Sequence, residues 1–115
     1  MFGVVADVKD FEDQVLNTSG MVLVNFWAWW SDECARMSTV MRKVTDLLDE
    51  KDAIVQLDWD HHRGLARELE VFGVPTLLIY MKGNEVRRYS GTMSDNDLTR
   101  RVIEAKICDA SPILQ

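Results

Sequence analysis

The sequence predicts an α/β domain, βαβαβαββα, built on a central mixed five-stranded sheet with helices on both faces. Three stretches carry that expectation. Residues 21–27, Met-Val-Leu-Val-Asn-Phe-Trp, are apolar at nearly every position, the mark of a central strand covered on both faces. Residues 32–49 place Met37, Met41, Val44, Leu47 and Leu48 at helical spacing. Residues 76–81 and 85–90 are β-type runs on either side of Lys82-Gly83-Asn84, which is turn chemistry and predicts a hairpin. Right-handed crossovers make the first three strands parallel and leave the antiparallel hairpin at an edge. With 115 residues and a 47% hydrophobic composition, the chain is long enough for one domain with a real core, residues 1–115, and too short for two.

In order, residues 4–6 read as a short first strand, and Asp7 is placed to cap a helix with Val8, Phe11, Val15 and Leu16 on one side. Asn17-Thr18-Ser19-Gly20 ends that helix and leads into the apolar strand. After the 32–49 helix, residues 53–58 form the third strand, and Trp59-Asp60-His61-His62 leads to a short helix around Leu65, Ala66 and Leu69. Gly73-Val74-Pro75-Thr76 breaks that pattern before the hairpin, and Gly91 marks a bend after it. Ser94 and Asp97 approximate a capping box for a last helix with Leu98, Val102 and Ala105 inward, and Ser111-Pro112 ends the order. The methionines of the 32–49 helix read as core.

The charge balance, 13 basic against 19 acidic residues for a formal −6, disfavours nucleic acid and anionic membrane as partners. The densest basic groups, Arg87-Arg88 and Arg100-Arg101, read as solvated surface. No apolar run is long enough to span a bilayer, and the first residues lack a basic segment followed by an apolar one, so the expectation is a cytoplasmic protein. Two cysteines far apart in sequence, Cys34 and Cys108, are a poor disulfide framework, and opposite placement in the fold predicts that they are not bonded to each other. His61, His62 and Cys34 lack a recognised ligand spacing, so no metal and no cofactor is expected.

The chemistry-bearing stretch is the strand-to-helix junction Phe26-Trp27-Ala28-Trp29-Trp30-Ser31-Asp32-Glu33-Cys34, at the edge where α/β folds place their sites. Trp30 before an x-x-Cys, the apolar strand into Phe26-Trp27-Ala28, Gly73-Val74-Pro75-Thr76 and Gly91 occur here in one order and spacing. Together they resemble the thioredoxin family over essentially the whole chain, which implies the thioredoxin fold and descent from protein-disulfide oxidoreductases. The family motif is Trp-Cys-x-x-Cys. Ser31 stands at the position of the attacking cysteine, and Cys34 at the less exposed, resolving one.

The resemblance also implies a buried Asp under the cysteine pair and a Lys on the neighbouring strand as proton relay, and this chain has Asn25 and Gln56 there. Neither amide titrates in the useful range. Their joint presence favours natural loss over a single laboratory substitution at Ser31 in an ordinary thioredoxin. Serine followed by two acids reads as a helix cap; as a hydrolytic nucleophile Ser31 has His61 and His62 as candidate bases, but no oxyanion-hole sequence or nucleophile elbow accompanies them. Family members hold extended peptides across a groove, and the positions implied for it are Trp30, Trp59, Gly73, Val74, Pro75, Gly91 and Thr92, with a cis bond expected before Pro75. Trp27 reads as core, whereas Trp29, Trp30 and Trp59 would be hard to bury together. The function expected is protein or peptide binding by a degenerate site. The alternatives are a residual thiol-disulfide or mixed-disulfide function of Cys34, or an active-site variant of an ordinary thioredoxin.

Overall fold

A computed structural model of the chain describes residues 2–4 and 8–110, with the backbone alone described at 2–4, 8–9 and 108–110. In chain order the elements are β1 (Phe2–Val4), α1 (Val8–Phe11) running into a π-helical turn (Glu12–Leu16), β2 (Met21–Trp27), and α2 (Asp32–Val44) closing in a 3-10 turn (Thr45–Leu47). They continue with β3 (Ala53–Asp58), α3 (Arg63–Glu68), β4 (Thr76–Met81), β5 (Asn84–Ser90) and α4 (Asp95–Ala110). The sheet order is β1-β3-β2-β4-β5. β3 pairs parallel with both β1 and β2, and β4 pairs antiparallel with β2 and β5, giving the mixed sheet with a hairpin edge.

Strand alternation divides the apolar residues into two cores. On one face Val22, Val24, Phe26, Val55, Leu57, Leu78 and Tyr80 meet Phe11 and Val15 before β2 and Leu65 and Ala66 of α3. On the other, Met21, Leu23, Ile54, Leu77, Ile79 and Met81 meet Met37, Met41 and Val44 of α2 and Leu98, Val102 and Ala105 of α4. Asn25 and Gln56, in phase with the second set, fall on the α2 side. β2 and β3 are in register so that the two residues are partners.

The structure shifts several boundaries. β1 begins at Phe2, earlier than the expected start at residue 4, with its register set by β3, Phe2 opposite Ile54 and Val4 opposite Gln56, a partner that local propensity does not encode; of the expected strand 4–6, residues 5 and 6 lie outside the described residues. The cap expected at Asp7 lies outside the described residues. Leu16, expected on the inward side of the first helix, is 38% exposed, since the π-helical turn widens the spiral, with the Asn17 N–H donating five residues back to Glu12 O, and rotates it out. The long helix stops at Val44 with its 3-10 turn to Leu47, short of residue 49. Beyond it, side chains capture the backbone: Asp49 accepts from Lys51 N–H at 3.1 Å and Asp52 from Asp49 N–H at 3.0 Å. Asn84 joins β5, which leaves a two-residue turn with positive φ at Lys82 and Gly83. A Cβ at Gly83 would also meet Leu16 O.

At the N-terminal end of β2, Asp52 binds the sheet to α4. Its side chain is 1% exposed, and it accepts from Met21 N–H at 2.8 Å, Asp49 N–H at 3.0 Å and Lys106 Nζ at 2.7 Å. Burial alone raises its pKa, but these hydrogen bonds and the ammonium charge outweigh it and hold the carboxyl below its ordinary range.

Candidate functional site

The opposite end of β2 delivers the chain into α2. Ser31 has extended backbone (φ −100, ψ 118) and is the helix N-cap, its Oγ accepting from Cys34 N–H at 3.2 Å, while Asp32 and Glu33 lie in the first turn. Cys34 is a free cysteine, 4% exposed, in that first turn, and its Sγ accepts from Ala28 N–H at 3.4 Å. Cys108 lies at the far end of α4, where only the backbone is described.

Below the cap, Asn25 Nδ2 donates to Gln56 Oε1 at 2.9 Å. Asn25 is 2% exposed, and its Oδ1 has no hydrogen-bond partner. Turning the Asn25 amide over, with Gln56 turned to match, would exchange the atoms and still leave one buried polar atom of Asn25 unpaired. Ser31, Cys34, Asn25 and Gln56 thus come together, lining one cleft of about 390 Å³ with Trp27 and Trp29. Trp27, expected in the core, is half-buried and walls this cleft, because it is the last residue of β2, where the strand runs out at the cleft.

On the other side of the motif, Trp30 is 53% exposed and held by its indole N–H, which donates to Asp60 Oδ2 at 2.8 Å. Its ring meets that of Trp59 edge-to-face at 6.5 Å. Trp59 packs on the first core and donates to Val71 O at 3.4 Å, and the Arg63 guanidinium lies 4.4 Å over its face. Asp60 also pairs with Arg63 at 3.3 Å, so one carboxylate fixes both an indole and a guanidinium. Gly73, Val74, Pro75 and Gly91 line a neighbouring hollow of about 310 Å³, the Val74–Pro75 peptide is cis, and Gly91 N–H donates to Pro75 O at 2.9 Å. Thr92 follows, exposed and outside that lining.

The histidines are committed elsewhere. His61 Nδ1 sits 3.1 Å from Asp58 Oδ2 and His62 Nδ1 3.0 Å from Asp58 O, and neither lines the cleft of Ser31. Among the described residues no cluster of His, Cys, Asp and Glu could hold a metal ion, and no helix is long and apolar enough to cross a membrane.

Sequence reasoning misses Asp60, Phe72 and Arg88. Asp60 offers no signal beyond its place after a strand. Phe72, 76% exposed, is noticeable as an aromatic residue in a Gly-Val-Pro loop. Arg88 donates to Leu69 O at 2.7 Å and Glu70 O at 2.9 Å, tying down the end of α3 where Glu70 adopts φ 58.

This geometry agrees with comparisons to known proteins. The Thioredoxin family profile matches residues 3–104. A thioredoxin of Chlorobaculum thiosulfatiphilum is 28% identical over 96 residues, covering 84% of this chain and 89% of the relative. Thioredoxin Y1, chloroplastic, of Arabidopsis thaliana is 26% identical over 80% of the chain, which spans only 54% of that protein's length. Among solved structures, a mutant thioredoxin from Halobacterium salinarum superposes with a TM-score of 0.77 at 25% identity, covering 86% of this chain and 85% of that one. With the strand order, the strand-to-helix junction and the proline loop agreeing with a profile that covers nearly the whole chain, the chain belongs to the thioredoxin family.

Proposed function

We propose that this thioredoxin-family domain has a degenerate dithiol centre and works in the cytoplasm by holding a protein or extended peptide segment, not by cycling disulfides. The observation that supports this most is Ser31. Disulfide exchange starts with a thiolate attacking a disulfide sulfur and ends when a second thiol resolves the mixed disulfide. The Ser31 hydroxyl is not ionised near neutral pH, closes no disulfide, and is engaged as the acceptor of Cys34 N–H at 3.2 Å. Asn25 and Gln56, the amide pair beneath it, supply no titrating base. Hydrolysis has little support, since both histidines bond to Asp58.

What persists is surface. Exposed Trp30 and the hollow of Gly73, Val74, Pro75 and Gly91 match the surface on which the family receives extended segments. One observation favours a second reading: Cys34 is a free thiol lining the cleft, so it can attack a partner disulfide, forming a mixed disulfide and releasing the partner's other sulfur as a thiol. Capture of partners on the immobilised protein, with and without reductant, separates the two. Binding through the surface survives reductant and weakens by more than about 1 kcal/mol in Trp30→Ala. Capture that reductant abolishes, and that Cys34→Ser also abolishes, would support the thiol reading instead.

A further inference from the structure

Next to Trp30 lies a smaller hollow of about 140 Å³, lined by Trp59, Arg63, Ala66, Arg67, Val71 and Phe72. Trp59, Ala66, Val71 and Phe72 give it an apolar part, with Ala66 and Val71 buried. Phe72, 76% exposed, also lines the proline-loop hollow, as does Val71, so the two hollows adjoin. The rim carries two guanidinium groups and no carboxylate, in a protein whose formal charge is −6. Arg63 is partly neutralised by Asp60 and pinned over Trp59. Arg67 is exposed and forms no ion pair among the described residues.

We infer that this hollow is a specificity pocket for an extended protein segment carrying a large apolar side chain with a carboxylate two residues away. The inference rests on the peptide-binding reading above and names the partner's chemistry. The apolar side chain fills the space between Trp59 and Phe72, and the carboxylate pairs with Arg67. The spacing follows from strand geometry: residues two apart point to the same face, about 7 Å from one another. Arg63 is already held by Asp60 and Trp59, so little ordering is required of it on binding, and Arg67 supplies the unpaired positive charge.

Net charge and pocket charge predict opposite preferences, which makes the idea sharp. A protein at −6 should favour a basic peptide through its long-range field, whereas the pocket favours an acidic one. The test is titration, followed by tryptophan fluorescence and by amide chemical shifts, with capped nine-residue Val/Thr/Ser peptides bearing a central Leu. Asp or Lys is placed two positions to either side. The Asp peptide should bind about fivefold tighter than the Lys peptide at low salt, with the difference lost in about 0.5 M NaCl. Arg67→Glu should reverse the preference, and Phe72→Ser should weaken both peptides. Both positions are exposed, so the folded state is expected to persist, and circular dichroism checks it.

Equal binding of the two peptides, or a preference that survives Arg67→Glu, would overturn the pocket while leaving the groove intact. No binding of either peptide, with shifts around Trp30 and Pro75 unmoved, would overturn the pocket and the groove together.

Discussion

The two ends of β2 are provisioned in opposite ways. At its start, Asp52 is a buried charge whose oxygens take two backbone N–H groups and an ammonium within 3.0 Å. Near its finish, Asn25 is a buried neutral amide with one atom unpaired, beneath a serine cap and a thiol whose hydrogen bonds are 3.2 and 3.4 Å long. The charged, fully satisfied network is the one that joins β2, β3 and α4. The end where the family keeps its chemistry holds no charged relay and no cysteine at position 31. On the proposed reading stability and recognition are separated along one strand, and substitutions at the two ends should have different readouts.

The largest effect expected is at the anchor. Asp52→Ala leaves Met21 and Asp49 N–H groups unpaired and Lys106 without its closest partner, and should cost about 3 kcal/mol, the lower end of the range for breaking a buried pair because Lys106 is partly exposed. Denaturant unfolding measures it, and affinity for peptides at the other end should stay unchanged. The same carboxyl sets an acid limit. Its folded pKa lies below the unfolded value of about 3.9, so its contribution is fully present above that pH and is lost as pH falls through the folded pKa. Wild type should therefore lose stability below about pH 4 more steeply than Asp52→Asn.

Ser31→Ala comes next. It removes the acceptor for Cys34 N–H and should cost about 1 kcal/mol, read as a lower denaturant midpoint at unchanged slope. Peptide affinity should change little. Equal midpoints would remove the capping role and reopen the question of what the hydroxyl does.

Asn25→Leu should have the smallest effect. It discards one hydrogen bond to the partly exposed Gln56, which water can replace, together with a buried acceptor that has no partner, so the net change should fall within about 1 kcal/mol. A loss above about 2 kcal/mol would mean that Asn25 is satisfied in solution and that the contrast between the two ends is weaker than drawn.

Much of this is legible in the chain. Strand β2 and the helix after it, the hairpin and the loop before Pro75 announce themselves through apolar runs, spacing and turn residues, and the cap at Ser31 through its chemistry. The first strand starts earlier than propensity puts it, because its register depends on β3, far along the chain and invisible to local preference. Leu16 and the end of α2 escape helical spacing because a π-helical turn and the side chains of Asp49 and Asp52 override it. Ser31, Cys34, Asn25 and Gln56 are recognisable by position, but Asp60 is not, since its role exists only once Trp30 and Arg63 converge on it.

The central claim is that position 31 has lost the chemistry while the surface around it remains. Reduction of insulin by dithiothreitol, followed with and without the protein, tests that most directly. The account predicts a rate no greater than dithiothreitol alone, and partial recovery in Ser31→Cys, held below that of an ordinary thioredoxin by the amides at Asn25 and Gln56. Turnover by the unaltered protein comparable to that of an ordinary thioredoxin would contradict it.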